Sequence, residues 1–316
     1  MPVLQELGKP IPLPKGKEAT GIHRRTRRYD PGMIAVTGAT GNIGSELVRR
    51  LAERGEAVRA LARHVERGEE LPGVERLAVD FARREPLAAA FAGADRLFLL
   101  TANSDDMVRL QKNALQAARE AGVRHVVKLS ALGASELSKS VIGLWHYNVE
   151  RDLRESGLAW TILRPHHFMD NLLGQRESIV REGVVYSAAG EGRIPFIDTR
   201  DIAAAAAAAL TQAGHEGKVY TLTGPEAISY RQATEILSRA IGRPLTYVAA
   251  TEDETWARQR RAGEPAWRIA ALLAIASYQR VGGPTEQVTT TVEELTGRPP
   301  RNFKQFAHDH AATFRV

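Results

Sequence analysis

The run Ile34-Ala35-Val36-Thr37-Gly38-Ala39-Thr40-Gly41-Asn42-Ile43-Gly44 constrains this chain more than any other segment, because three glycines stand where an apolar strand passes into an amphipathic helix. Ile34 to Val36 read as a buried strand, and Ile43, Leu47, Val48 and Leu51 recur at helical spacing behind the glycines. A loop in that setting aims free backbone N–H groups, and the positive end of a helix dipole, at its guest. A dinucleotide pyrophosphate is the guest expected. Gly38 is assigned to the tight turn, Gly41 to close approach of the diphosphate and Gly44 to helix-on-strand contact, with Thr40, Asn42 and Ile43 completing the cradle.

Downstream, strands and helices alternate. Strands are read at 57–62, 74–81, 96–101, 125–130 and 159–163, and helices at 42–54, 86–91, 105–121 and 144–155. Alternation of this kind implies parallel pairing with right-handed crossovers. The fold class expected is α/β, a doubly wound parallel Rossmann sheet with a smaller, mainly helical C-terminal lobe. The sheet domain is placed at 33–164 and the substrate-binding lobe at 165–316, interleaved with the last sheet strands at about 195–224. Helices are read near 230–241 and 301–314, and helical stretches within 171–182 and 251–280. Ala203 to Ala209, seven alanines in a row, are read as closely packed helix.

The net charge of +6 is concentrated at one end: residues 1–32 hold seven Lys or Arg against three acids. That segment has neither helical nor strand period and reads as a basic, disordered arm. No aromatic interleaving accompanies its charge, so nucleic acid is not the expected partner. The sequence lacks cysteine, which removes disulfides and thiolate chemistry, and it has neither a long apolar run nor a signal-peptide core. The expectation is a cytoplasmic protein without a membrane, acting on a small molecule, with a homodimer or a regulatory protein as partner.

The position that separates the two nicotinamide dinucleotides lies about 20 residues beyond the glycine loop. It reads Ala62-Arg63-His64, without the carboxylate that would bind a ribose 2′-hydroxyl. Arg63, with help from Arg59, can grip a 2′-phosphate, so NADP(H) is favoured over NAD(H). Asp80 and Phe81, ending the third strand, are placed at the adenine or as loop caps. Leu100 and Thr101, ending the fourth strand, join the cofactor set.

With the G-x-x-G-x-x-G spacing, Ala62-Arg63, the stretch from His146 through Glu150 to Arg164-Pro165 and Phe168-Met169-Asp170-Asn171, and the later Pro195 to Ala203 and Tyr220 to Pro225, the chain resembles the NmrA-like atypical short-chain dehydrogenases over about 33–316. Members of that family include NADPH-dependent reductases of quinones, triphenylmethane dyes and ergot alkaloids, and dinucleotide sensors without turnover. The resemblance therefore implies an NADPH-dependent reductase of a conjugated carbonyl, quinone or imine. Its alternative is a silent NADP(H)-sensing regulator.

Most short-chain dehydrogenases carry Tyr-x-x-x-Lys as proton donor and its activator. Aligned on Glu150 and Leu153, the lysine position here is His146 and the tyrosine position Ile142; Tyr147 and Arg151 offer a shifted pair. His146 is assigned to the ribose or to a proton relay, its alternative being a helix-face contact with Glu150. Ser130, ending strand five, resembles a substrate-contacting serine and is otherwise a cap. His166, Phe168, Met169 and Asn171 follow strand six at the carboxyl edge and are read as substrate pocket, with Phe168 or Met169 as its wall. No metal is assigned.

Overall fold

The computed structural model describes residues 32–315; the basic segment 1–31 lies outside the described residues. Short apolar runs rich in Val, Ile and Leu form a seven-stranded parallel sheet: β1 (Met33–Thr37), β2 (Val58–Ala62), β3 (Val74–Ala78), β4 (Ala94–Leu99), β5 (His125–Leu129), β6 (Ala159–Pro165) and, after the short β7 (Val184–Ser187), β8 (Lys218–Leu222). The spatial order is β3-β2-β1-β4-β5-β6-β8. The order reverses between β1 and β4, and a doubly wound sheet opens its ligand crevice there, beyond the carboxyl ends of the strands.

Both faces of the sheet are covered, as its nearly continuous apolar strands require. On one side α1 (Asn42–Glu53) meets α6 (Thr199–Thr211), whose alanines at 203 and 205–209 are all 1% exposed or less. Alanine lets the two helices approach closely, and α10 (Thr291–Thr296) joins the same layer. The opposite face carries α2 (Arg84–Phe91), α3 (Met107–Glu120) and α4 (Val141–Glu155) over Leu97, Leu99, Val126 and Ile162.

A third core, around Met169, Phe196, Tyr230, Phe303 and Phe306, belongs to the second lobe. It is built by α5 (Arg176–Glu182), α7 (Tyr230–Ile241), α11 (Phe303–Asp309), β7 and β9 (Thr246–Ala249). Pairing of β7 with β9, Val184 beside Thr246, was not expected from the sequence. Each strand has only one buried position, so neither shows a legible period. α8 (Glu252–Arg261) and α9 (Ala266–Val281) form a helical hairpin that reaches α4 through a Trp145–Trp267 edge contact with ring centroids 5.0 Å apart. Among the described residues no helix is long and apolar enough to cross a membrane.

Candidate active site

At the carboxyl edge of β1 the backbone does most of the construction. Gly38 turns the chain with φ at 64°, and a Cβ there would press within 3.0 Å of the Leu100 carbonyl oxygen. Gly44 is needed for a different reason: a Cβ on it would fall 2.1 Å from the Gly38 carbonyl oxygen, so α1 could not sit on the loop. Gly41 caps α1 without a side chain, and the amides of Asn42, Ile43 and Gly44 find no acceptor among the described residues. Thr37, assigned no role from the sequence beyond its place in the run, pins the loop to β4. Its buried hydroxyl lies 2.9 Å from the Leu100 carbonyl and accepts from the Leu100 amide at 2.8 Å. Free first-turn amides on a helix dipole fit a pyrophosphate, so the residues present suit a dinucleotide.

Beside this loop a shallow cleft runs between Thr40, Ser45, Ala62, Glu69 and Arg76. Arg63, next to Ala62, is exposed and has no hydrogen bond or ion pair among the described residues. Arg59, expected to help it, is committed elsewhere: its guanidinium binds Glu75 at 2.7 Å and the carbonyls of Ala90 and Ala92. The reason is strand alternation, which turns residue 59 toward α2. Asp80 is exposed and accepts from the Ala82 amide at 2.9 Å, a turn cap. Phe81 is 7% exposed and packs in the core beneath α3. Thr101 accepts from Gln111 on α3 at 2.9 Å.

Across the crevice β5, α4 and β6 assemble a buried polar network from side chains far apart in sequence. Glu150 is fully buried and accepts from Ser130 at 2.5 Å, from Arg164 at 2.9 and 2.6 Å, and from Arg154 at 3.0 Å. Burial pushes its carboxyl up, but the hydrogen bonds from Arg164 and Ser130 outweigh that and hold it below the usual range. His146 does not pair with Glu150. Its Nδ1 lies 3.0 Å from Nζ of Lys128, a fully buried lysine on β5 that also donates to the Leu129 carbonyl at 3.0 Å. Burial lowers Lys128 to about 7, and burial with the charges of Lys128 and Arg164 lowers His146 well below 6.5. Lys128 escaped the sequence reading, although a lone lysine inside the apolar run Val126-Val127-Lys128-Leu129 is a legible signal.

Other expected residues are less free than their positions suggest. The Ser130 hydroxyl is spent on Glu150. Tyr147 sends its hydroxyl toward Glu136 at 3.4 Å, while Arg151 lies 3.6 Å from Asp152, so the shifted pair makes no mutual bond. His166 is clamped at both ring nitrogens, by the Thr285 carbonyl at 2.9 Å and the His167 amide at 2.7 Å. Asn171 and Tyr230 both reach His167. Phe168 is half-buried at the junction of the two lobes, where it bridges Ile197. Met169 is 1% exposed and fills the core of the second lobe rather than an accessible wall, because the chain turns inward to meet Ile197. Asp170 ties the halves together: it accepts from the Thr199 hydroxyl on α6 at 2.9 Å and lies 3.4 Å from the side-chain Nδ2 of Asn42 at the glycine loop. No three His, Asp or Glu side chains among the described residues converge as a metal site.

Residues 38–214 match a family described as NAD(P)H-binding. The chain is similar to an NAD(P)H azoreductase of Xenophilus azovorans, 40% identical over 287 residues that cover 89% of this chain and 99% of the relative. It is also similar to a (4-alkanoyl-5-oxo-2,5-dihydrofuran-3-yl)methyl phosphate reductase of Streptomyces griseus, 40% identical over 284 residues, with 89% and 99% covered. Among solved structures, an NADPH-dependent quinone oxidoreductase of Escherichia coli complexed with NADPH superposes with a TM-score of 0.79 at 27% identity, over 88% of this chain and 99% of that one.

Proposed function

The chain belongs to the NAD(P)H-binding family as an NmrA-like atypical short-chain dehydrogenase, an NAD(P)H-dependent oxidoreductase, and on that premise we propose that it uses NADPH to reduce a conjugated carbonyl, quinone, imine or azo compound. The observation that carries this reading is the group at the lysine position of the missing Tyr-x-x-x-Lys. A neutral His146 backed by Lys128 stands there, with Ile142 where the tyrosine would be.

A simple ketone concentrates the incoming charge on one oxygen and needs a strong positioned acid, whereas a conjugated acceptor spreads that charge. The relatives reduce azo compounds, a quinone and an oxo-dihydrofuran by name, in keeping with such acceptors. NADPH when bound supplies the hydride. Amides 42–44 hold its diphosphate, and Arg63 meets its 2′-phosphate. Lys128, Arg164 and Arg154 outnumber Glu150, which leaves the crevice wall electropositive where substrate charge develops. The half-buried Phe168 faces the junction at which an acceptor has to lie.

Loss of nicotinamide absorbance is to be followed with quinones, cationic dyes and azo dyes as acceptors. Turnover is expected; a flat trace with tight NADPH binding would replace the reductase with a dinucleotide sensor. For cofactor choice, Arg63→Ala is expected to weaken NADPH binding by about 10–100-fold, the worth of a charge-assisted contact, and to leave NADH binding unchanged. Equal losses for both coenzymes would remove Arg63 from the 2′-phosphate.

A further inference from the structure

We propose that Lys128 is a positioning residue, which from strand β5 holds His146 neutral with its single proton on Nε2 and so supplies what the missing helical lysine would have supplied. This deepens the reductase reading and rests on it for the use of the ring, though not for the ring's tautomer.

Three observations carry the inference. Lys128 Nζ has two partners within hydrogen-bond distance, the Leu129 carbonyl and His146 Nδ1, each at 3.0 Å. Both side chains are buried, at 0% and 6% exposure. His146 Nε2, in contrast, has no hydrogen-bond partner among the described residues.

The charged groups around the pair decide who holds the shared proton. Arg164 on β6 disfavours a second positive charge and acts on both bases. Glu150 on α4, held by Arg164 and Arg154, sustains the charge of Lys128. Helix α3 turns Lys112 toward Asp152, and α9 brings Trp267 against Trp145. The histidine is the weaker base, with Lys128 near 7 and His146 well below 6.5, so the proton rests on the lysine. An ammonium has no lone pair, so Nδ1 has to accept, and the imidazole proton is left on Nε2. A bulky apolar residue at 128 would leave both tautomers open.

One proton transfer then balances without a further reagent. His146 Nε2–H passes its proton to the reduced substrate's anionic atom while Nδ1 takes a proton from Lys128 Nζ. The products are a protonated substrate, an Nδ1–H imidazole and a neutral amine. After product leaves, Nδ1–H returns its proton to Lys128 Nζ and a solvent proton reaches Nε2, which restores the starting tautomer.

The test uses the full chain without coenzyme, with ¹⁵N-labelled histidine and long-range ¹H–¹⁵N correlation about one pH unit below the value of about 7 for Lys128, where the lysine is charged and the ring still neutral. The wild-type His146 signal is expected to show protonated Nε2 and acceptor Nδ1; an Nδ1–H tautomer overturns the proposal, whatever any variant does. In Lys128→Met, whose fold is checked by circular dichroism and by NADPH binding, the two ring nitrogens are expected to average toward a mixed-tautomer signature. Turnover is expected to fall about tenfold or more without a change in KM for NADPH. Lys128→Arg, which can only donate, is expected to restore the wild-type tautomer. An unchanged signature in Lys128→Met refutes the proposal. No turnover with the expected tautomers refutes the reductase reading and leaves the role of Lys128 standing.

Discussion

The two sides of the crevice are built in opposite ways. At β1 and α1 the open polar groups are backbone amides, placed by glycines that lie within seven residues of one another. At β5, α4 and β6 the polar groups are side chains of residues 128, 130, 146, 150 and 164, brought together by three elements and, apart from the 25% exposed Arg164, almost wholly withdrawn from water. A backbone site tolerates little change in shape and is indifferent to most charges. The side-chain site is charged and buried, so it holds only while every partner is present.

This contrast can be broken most sharply at Glu150. Glu150→Ala leaves Arg164 and Arg154 without their carboxylate, and a loss of about 3–5 kcal/mol in urea unfolding is expected, the range for breaking a buried ion pair. A loss under about 1 kcal/mol would mean that water replaces the carboxylate and that the network is less closed than its burial implies.

Acid should act on the same side. Burial, partly offset by the Thr285 carbonyl, lowers His166 from 6.5 to about 4, so the unfolded chain binds an extra proton between those values. Stability is therefore full above about pH 6.5 and falls as pH drops toward about 4, with a limiting slope of ~1.4 kcal/mol per unit from this residue. His167, lowered by burial to about 3, steepens the fall. Melting temperatures measured across that window in wild type and His166→Gln should differ in slope, the variant being flatter; parallel curves would sink the assignment.

On the backbone side, Gly44→Ala is expected to cost ~1–3 kcal/mol as overpacking against the Gly38 carbonyl and to abolish the heat of NADPH binding in calorimetry. Retained binding would mean that the loop can move away without losing its amides. The smallest effect is expected where the two modes meet. Asp198 caps α6 by accepting from the Arg200 amide at 2.8 Å, and Asp198→Ala should cost about 1 kcal/mol in the same unfolding assay. A much larger loss would show that the Arg200–Asp198 and Arg200–Asp309 pairs tie the lobes as firmly as Glu150 ties the sheet.

Legibility in the sequence followed the same division. The strands around the glycine loop, the alanine helix α6 and the span Tyr230–Ile241 were readable, because local periodicity and turn chemistry carried them. The β7–β9 pair was not, since its pairing joins residues about sixty positions apart and each strand is short. Arg63 and Arg59 looked alike as arginines on one strand and its end; only the sheet shows that Arg59 is spent on Glu75 and α2. The sequence offers His146 the ribose or a proton relay, with a contact to Glu150 one helical turn away as the alternative; the fold pairs it with a lysine from a neighbouring strand.

By itself the sequence determined a parallel α/β sheet and a glycine loop opening the first helix, because both depend on spacing along one stretch of chain. Tertiary structure alone decided which charged side chains meet. Coulombic and hydrogen-bonding energies depend on distance and burial in space, and residues 128, 146, 150 and 164 acquire theirs only when β5, α4 and β6 close on one another.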